Sequence, residues 1–276
     1  MSELVHTSNE QAAATAFNRQ APLFDELYGT DLIIQYKRDR VRKHIMQFLS
    51  PKSRILELNA GTGEDALHFA RGGHNVHATD ISLVMQEMLK EKIRLHEQEN
   101  NITQERLSFT DLSSLSDQGP YDLIFSNFAG LNCTSELDVV LRSFEPLVKP
   151  GGHVTLVILP KFCLWETLLL FKGKFKTAFR RFSGGNKGTT AHVEGQYFQC
   201  WYYSPGFVKK HCGDTFEPVG QEGLCTIVPP SYIARFGEKH PGAFRFLKNT
   251  EDSWKSKWPW KNIGDYYIIT LRKKKD

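Results

Sequence analysis

Residues 55–65 read Ile-Leu-Glu-Leu-Asn-Ala-Gly-Thr-Gly-Glu-Asp, an apolar strand that runs into a glycine-rich turn at the start of a helix. Outward from that turn the chain alternates apolar strand-like runs with amphipathic helical ones. The pattern predicts strands at 54–58, 75–79, 107–109, 121–125 and 153–159, with helices at 64–71, 83–97 and 135–147 between them. Alternation of this kind builds a parallel sheet with helices on both faces. Lys149-Pro150-Gly151-Gly152 marks a sharp turn between the last helix and strand.

Before this block, residues 11–49 show apolar positions at helical spacing (Phe17, Leu23, Phe24, Leu27, then Val41, Ile45, Phe48) until Ser50-Pro51 stops them. After it, an apolar and basic helix is expected at 162–182, a strand at 192–203, a short helix near Pro205, a further run at 216–227 and a closing strand from Tyr266 to Arg272. The organisation expected is a helical lead-in at 1–50, a ligand-binding core at 51–160, an insertion at 161–215 and final strands of the core sheet at 216–276.

With 276 residues, 40% hydrophobic and 24% charged, the chain can bury a full core. It contains no apolar run of the roughly 20 residues that a membrane span needs. The five cysteines are scattered without paired metal-ligand spacing, which reads as reduced thiols in a cytoplasmic protein with no metal site. A net charge of +4 is too small to argue for nucleic acid.

In open parallel sheets ligands bind beyond the carboxyl ends of the strands, where the 59–65 turn lies. Gly61-Thr62-Gly63-Glu64-Asp65-Ala66 formally fits a dinucleotide fingerprint, with Asp80 at the distance of a ribose-binding acid. Charge argues otherwise. The turn carries Glu57, Glu64 and Asp65 and meets no Lys or Arg before Arg71, which disfavours a pyrophosphate and suits a cationic ligand that offers hydrogen-bond donors.

Over roughly residues 20–160 the sequence resembles the class I S-adenosylmethionine-dependent methyltransferases. Glu57 to Gly63 matches their first motif, Asp80 their ribose-binding acid, Phe109-Thr110-Asp111-Leu112 the acid that meets adenine, and Tyr121 to Asn127 their fourth strand. Leu147 to Leu159 matches the helix, turn and fifth strand, and Gly264 to Ile269 the last, antiparallel strand. The resemblance implies a Rossmann-like, seven-stranded, mostly parallel α/β sheet with an N-terminal helical lid and an inserted cap. It implies S-adenosyl-L-methionine held by Tyr28, Glu57, Asn59, Ala60, Gly61, Gly63, Asp80, Ile81, Asp111, Leu112 and Asn127. Asn59 departs from the family's first glycine, and Asn tolerates a left-handed backbone better than other side chains.

Ser126 to Cys133 is not the base-gripping motif of amino methyltransferases, so a small, fairly apolar acceptor methylated on oxygen is expected, and no nucleic acid. Phe128, Asn132, Trp165 and Tyr202 are the candidate acceptor contacts, and His192, in the insertion, is the candidate general base. The aromatic and basic 162–182 segment also suits transient contact with a membrane surface. An RNA methyltransferase and an NAD(P)-dependent oxidoreductase are the competing readings.

Overall fold

The computed structural model describes residues 8–233 and 235–275; the side chains of residues 8, 27, 28 and 186 lie outside the described set, Tyr28 among them. Among the described residues nine strands form, named in chain order: β1 (Arg54–Leu58), β2 (Asn75–Asp80), β3 (Ile102–Arg106), β4 (Tyr121–Ser126), β5 (Val148–Ile158), β6 (Thr189–Val193), β7 (Gln196–Cys200), β8 (Phe216–Leu224) and β9 (Tyr266–Lys273). The helices are α1 (Ser8–Gly29), α2 (Leu32–Ile45), α3 (Glu64–Arg71), α4 (Leu83–Leu95), α5 (Leu137–Arg142), α6 (Leu164–Leu168), α7 (Phe175–Ser183), α8 (Pro205–His211), α9 (Phe236–Lys239) and α10 (Pro241–Trp254).

Seven strands make one sheet in the order β3-β2-β1-β4-β5-β9-β8. All neighbours are parallel except β9, which runs antiparallel to both β5 and β8. This is the Rossmann-like sheet that the resemblance implies. Leu56, Leu58 and Ile124 pack one face with Phe144 and Ile269, while Ile55, Phe125 and Ile268 pack the other with Phe69, Leu89 and the lead-in residues Val41 and Ile45. β1 aligns Leu58 with Thr79 of β2 and with Ser126 of β4, so the turns after β1, β2 and β4 emerge side by side.

Several expectations shift. The third strand is at 102–106 rather than 107–109: as an edge strand it needs few apolar residues, and Leu107 and Phe109 turn inward after it. The expected 162–182 helix breaks at Gly173, whose φ of +70° lies outside helical backbone, into α6 and α7. The expected strand at 192–203 is a separate hairpin, β6–β7, closed by Glu194 and Gly195, both with positive φ as a tight right-twisting turn requires. Pro150-Gly151-Gly152 lies within β5, where pairing with β4 skips from Tyr121–Val148 to Leu123–His153 and the turn is absorbed as an irregularity.

α2 is held over the sheet by buried polar contacts. Arg40 donates to Tyr36 Oη (2.7 Å), Glu222 (3.0 Å) and Glu251 (3.3 Å), and His44 meets Glu222 (2.9 Å) and Thr270 (2.9 Å). Glu251 also accepts the backbone N–H groups of Cys225, Thr226, Ile227 and Val228. α1 is tied down along its length: Asn9 to residues 133 and 199, Glu10 to Ser108 and Thr110, Asn18 to Ser82, and Asp25 to Thr62. Its small residues Ala13 and Ala16 let Phe198 of the hairpin pack against it, which fixes the hairpin against α1. Among the described residues no helix is long and apolar enough to cross a membrane.

Candidate cofactor and acceptor site

Over the carboxyl edge of the sheet lies a cavity of about 350 Å³, within the range of small-molecule sites. Its floor is the 57–65 turn, Asp80, Ile81, Asn127 and Phe128; its roof is Ala13, Ala14, Phe17 and Phe24 from α1 with Ile34, Lys37 and Arg38 from α2; Ser108, Phe109, Ser231 and Tyr266 also line it.

Each floor residue has a local cause. Gly63, at φ +83°, starts α3, and a Cβ there would run into Leu89, so the close packing of α4 requires glycine. Gly61, at φ +57°, donates its N–H to Asp80 Oδ2 (2.9 Å), and Ser82 N–H meets Asp80 Oδ1 (2.8 Å). Burial nevertheless pushes the Asp80 carboxyl above its ordinary range, while these two amides pull it back. Asn59 adopts φ +47°, as its residue type allows, and its side chain bridges strands by accepting from Ser126 Oγ (3.0 Å) and donating to the Asn127 carbonyl (3.2 Å). After β4 the chain places Phe128 and Ala129 both in the left-handed region, at φ +46° and +65°, a strained path that sets the Phe128 ring at the cavity wall.

The charge of the turn is more balanced than the local sequence implies. Asp65 is paired with Arg42 (2.7 Å) and accepts from Asn127 (2.8 Å); Glu64 is paired with Lys92 (2.7 Å) and lies 3.6 Å from Arg38. These cations come from α2 and α4, beyond the reach of local reading. Glu57 has no ion pair among the described residues. Its Oε2 is buried without a hydrogen-bond partner, and burial, with repulsion from Asp65, holds its carboxyl well above the ordinary range.

Of the residues singled out in the sequence, Glu57, Asn59, Ala60, Gly61, Asp80, Ile81, Asn127 and Phe128 line this cavity. The others, apart from Tyr28, lie elsewhere. Gly63 lies behind the turn, and the Tyr28 side chain is outside the described residues. Asp111 accepts from Ser113 Oγ (3.0 Å) and Leu112 packs in the core, because the strand ends earlier than expected and Ser108 and Phe109 reach the cavity instead. Asn132 is fully buried and spends its amide on the backbone of Leu159 and Trp201, joining β5 to the segment after β7. Tyr202 lies under the Arg181 guanidinium, and Trp165 is half-buried on α6. His192 is exposed on the hairpin, its ring 4.6 Å from that of its cross-strand partner Tyr197, so it cannot reach the cavity as a base. Arg181 also fills the space between Glu166 and Asp265, donating to both at 2.7 Å, where the acids and Cys163 would otherwise form a cation pocket. The face of α7 and the turn before it shows Phe171, Phe175, Phe179 and Phe182 to solvent.

Glu10, Lys37, Arg38, Ser231 and Tyr266 were missed, since they come from segments far from the turn in sequence; only the helical periodicity of the lead-in hinted that its inner face closes over something.

Residues 55–152 match the family described as a methyltransferase domain. Over that segment the chain is similar to methyltransferase domains. A malonyl-[acyl-carrier protein] O-methyltransferase of Erwinia pyrifoliae is 30% identical over 169 residues, which are 58% of this chain and 56% of that protein, so the match spans about half of the relative. Among solved structures, the [4+2]-cyclase SpnF superposes with a TM-score of 0.61 at 16% identity over 97% of each chain. The 1,6-didemethyltoxoflavin-N1-methyltransferase of Burkholderia thailandensis, with bound S-adenosylhomocysteine, gives 0.57 at 14% identity over 99% of this chain and 93% of that one. At such identities the superpositions speak for the fold. The chemistry of the cavity suits S-adenosylmethionine, a cation that offers hydrogen-bond donors: one carboxyl oxygen of Glu57 is buried there without a partner, and Asp80 lines it from the end of β2.

Proposed function

We propose that this chain transfers the methyl group of S-adenosylmethionine to an oxygen of a small, fairly apolar acceptor. The observation that carries the reading is that one cavity is lined both by the acids Glu57 and Asp80 and by Ile34, Asn127, Phe128 and Tyr266. Bound there, S-adenosylmethionine supplies a methyl group on a sulfonium that already carries the activation, so the protein's work is alignment and exclusion of water. Asp80 receives the ribose hydroxyls, Glu57 the methionyl ammonium, and Ile81 and Phe109 flank the adenine. Residues 1–50 act as the lid, 51–160 and 216–276 as the core, and 161–215 as the cap that backs the lid from outside. The O-methyltransferase relative supports oxygen over nitrogen. The buried, unpaired state of all five cysteines supports a cytoplasmic location.

The test is transfer of labelled methyl from S-adenosylmethionine to a panel of aliphatic acids, phenols and amines. Label on oxygen of at least one acid or phenol, and on no amine, is expected. Label on nitrogen alone, or no transfer to the oxygen acceptors, contradicts the proposal.

A further inference from the structure

Beside Phe128 and Tyr266 the cavity holds a cation that no carboxylate among the described residues pairs with. Lys37 is 4% exposed on α2 and lines the cavity. Its Nζ donates to Ser231 Oγ (3.3 Å) and stands 4.9 Å from the ring centroid of Tyr266 and 5.4 Å from that of Phe128. No carboxylate among the described residues pairs with it, whereas the other cations of this helix's inner side are matched: Arg38 with Glu64, Arg40 with Glu222 and Glu251, Arg42 with Asp65. The nearby Cys225 thiol feels the Lys37 charge, yet burial and Glu251 keep it protonated, so it is no counter-ion. A lysine ammonium removed from water is costly unless paired, and two aromatic faces with one hydroxyl compensate only part of that cost.

Among the described residues, no histidine lines the cavity to act as a base. Burial beside Asp265 holds the Tyr266 phenol well above its ordinary range, so it remains a neutral hydrogen-bond donor. The lining carboxylates belong to the floor and to the latch of α1. An acceptor that must lose a proton during the reaction finds nothing here to take it.

We propose that the acceptor is a carboxylate, bound as the anion by Lys37 with the hydroxyls of Ser231 and Tyr266. This inference rests on the methyltransferase reading and narrows it. A lone pair of one carboxylate oxygen forms the bond to the methyl carbon as the carbon–sulfur bond breaks and its electron pair stays on sulfur; the products are a methyl ester and a neutral thioether, with no proton released. Lys37 compensates the acceptor's charge in the ground state and orients the attacking oxygen beside Phe128.

Calorimetry separates the two layers of this argument. S-adenosylhomocysteine is titrated into the wild type, Lys37→Met and Lys37→Arg, and hexanoate and its neutral analogue hexanamide are then titrated into each protein saturated with S-adenosylhomocysteine. The wild type is expected to bind hexanoate at least tenfold more tightly than hexanamide, Lys37→Met to lose that preference, and Lys37→Arg to keep it, with S-adenosylhomocysteine affinity within threefold in all three. Three results overturn the assignment: no carboxylate preference in the wild type, a preserved preference in Lys37→Met, or a tenfold loss of S-adenosylhomocysteine affinity in Lys37→Met, which would move the lysine to the methionyl carboxylate. Absence of S-adenosylhomocysteine binding by the wild type would instead strike the methyltransferase reading beneath it.

Discussion

Glu57 shows how one side chain sets both a cost and a use. It sits on β1 between Leu56 and Leu58, fully enclosed, with one oxygen unpartnered and Asp65 repelling it. Its folded carboxyl titrates well above the unfolded one, so it favours folding at low pH and opposes folding once pH rises through the raised value and the buried charge forms. A bound ammonium would remove that penalty. Glu57→Gln is therefore expected to raise the melting temperature of the ligand-free protein at pH 8 while weakening S-adenosylhomocysteine binding roughly tenfold, the scale of a lost charge-assisted hydrogen bond. Unchanged affinity in calorimetry would remove Glu57 from the site. The place of Glu57 at the cavity was legible in the sequence because the motif puts the acid two residues before the turn. The pairing of Asp65 with Arg42 was not, because it joins residues 23 apart on separate elements.

Among the elements, α2 carries the cations that face the cavity, and its position depends on the Arg40–Glu222–Glu251 cluster. Glu251 accepts four consecutive backbone amides and receives Arg40, all within the protein interior. Glu251→Ala leaves these donors and a buried guanidinium unmatched, and thermal melts should show a loss of about 3 kcal/mol or more, roughly 10 °C. A change below 2 °C would mean the cluster is dispensable. Glu222 gives the pH dependence. Burial raises its carboxyl, but the hydrogen bond and charge of His44, with Arg40 and Lys255, bring it down to about 2 from 4.5. A depressed folded value stabilises the fold above pH 4.5, and that contribution, about 3 kcal/mol, is lost as pH falls from 4.5 towards 2. Glu222→Gln should flatten the melting profile in that window. The lead-in was readable as helical from periodicity, but the partners of Lys37 and Arg40 were not, because they lie far along the chain at Ser231, on β8 and on α10.

At the scale of the molecule, the sheet order brings the turns after β1, β2 and β4 to one edge, and α1 and α2 close over them with the β6–β7 hairpin behind. The sheet was legible because buried parallel strands announce themselves as apolar runs between helices; the edge strand β3 and the broken α6–α7 segment were not, since an exposed edge carries little apolar signal and Gly173 reads the same in a helix as after one. His192 illustrates the same limit, as a plausible base on a segment whose hairpin pairing turns it to solvent. The central claim is that the cavity over this edge holds S-adenosylmethionine. Calorimetric titration of S-adenosylhomocysteine into the wild type and Asp80→Ala, with NADH as the competing ligand, tests it most directly. One-to-one micromolar binding to the wild type, at least tenfold weaker binding to a folded Asp80→Ala protein and no heat with NADH are expected; tight NADH binding without S-adenosylhomocysteine binding would contradict the account.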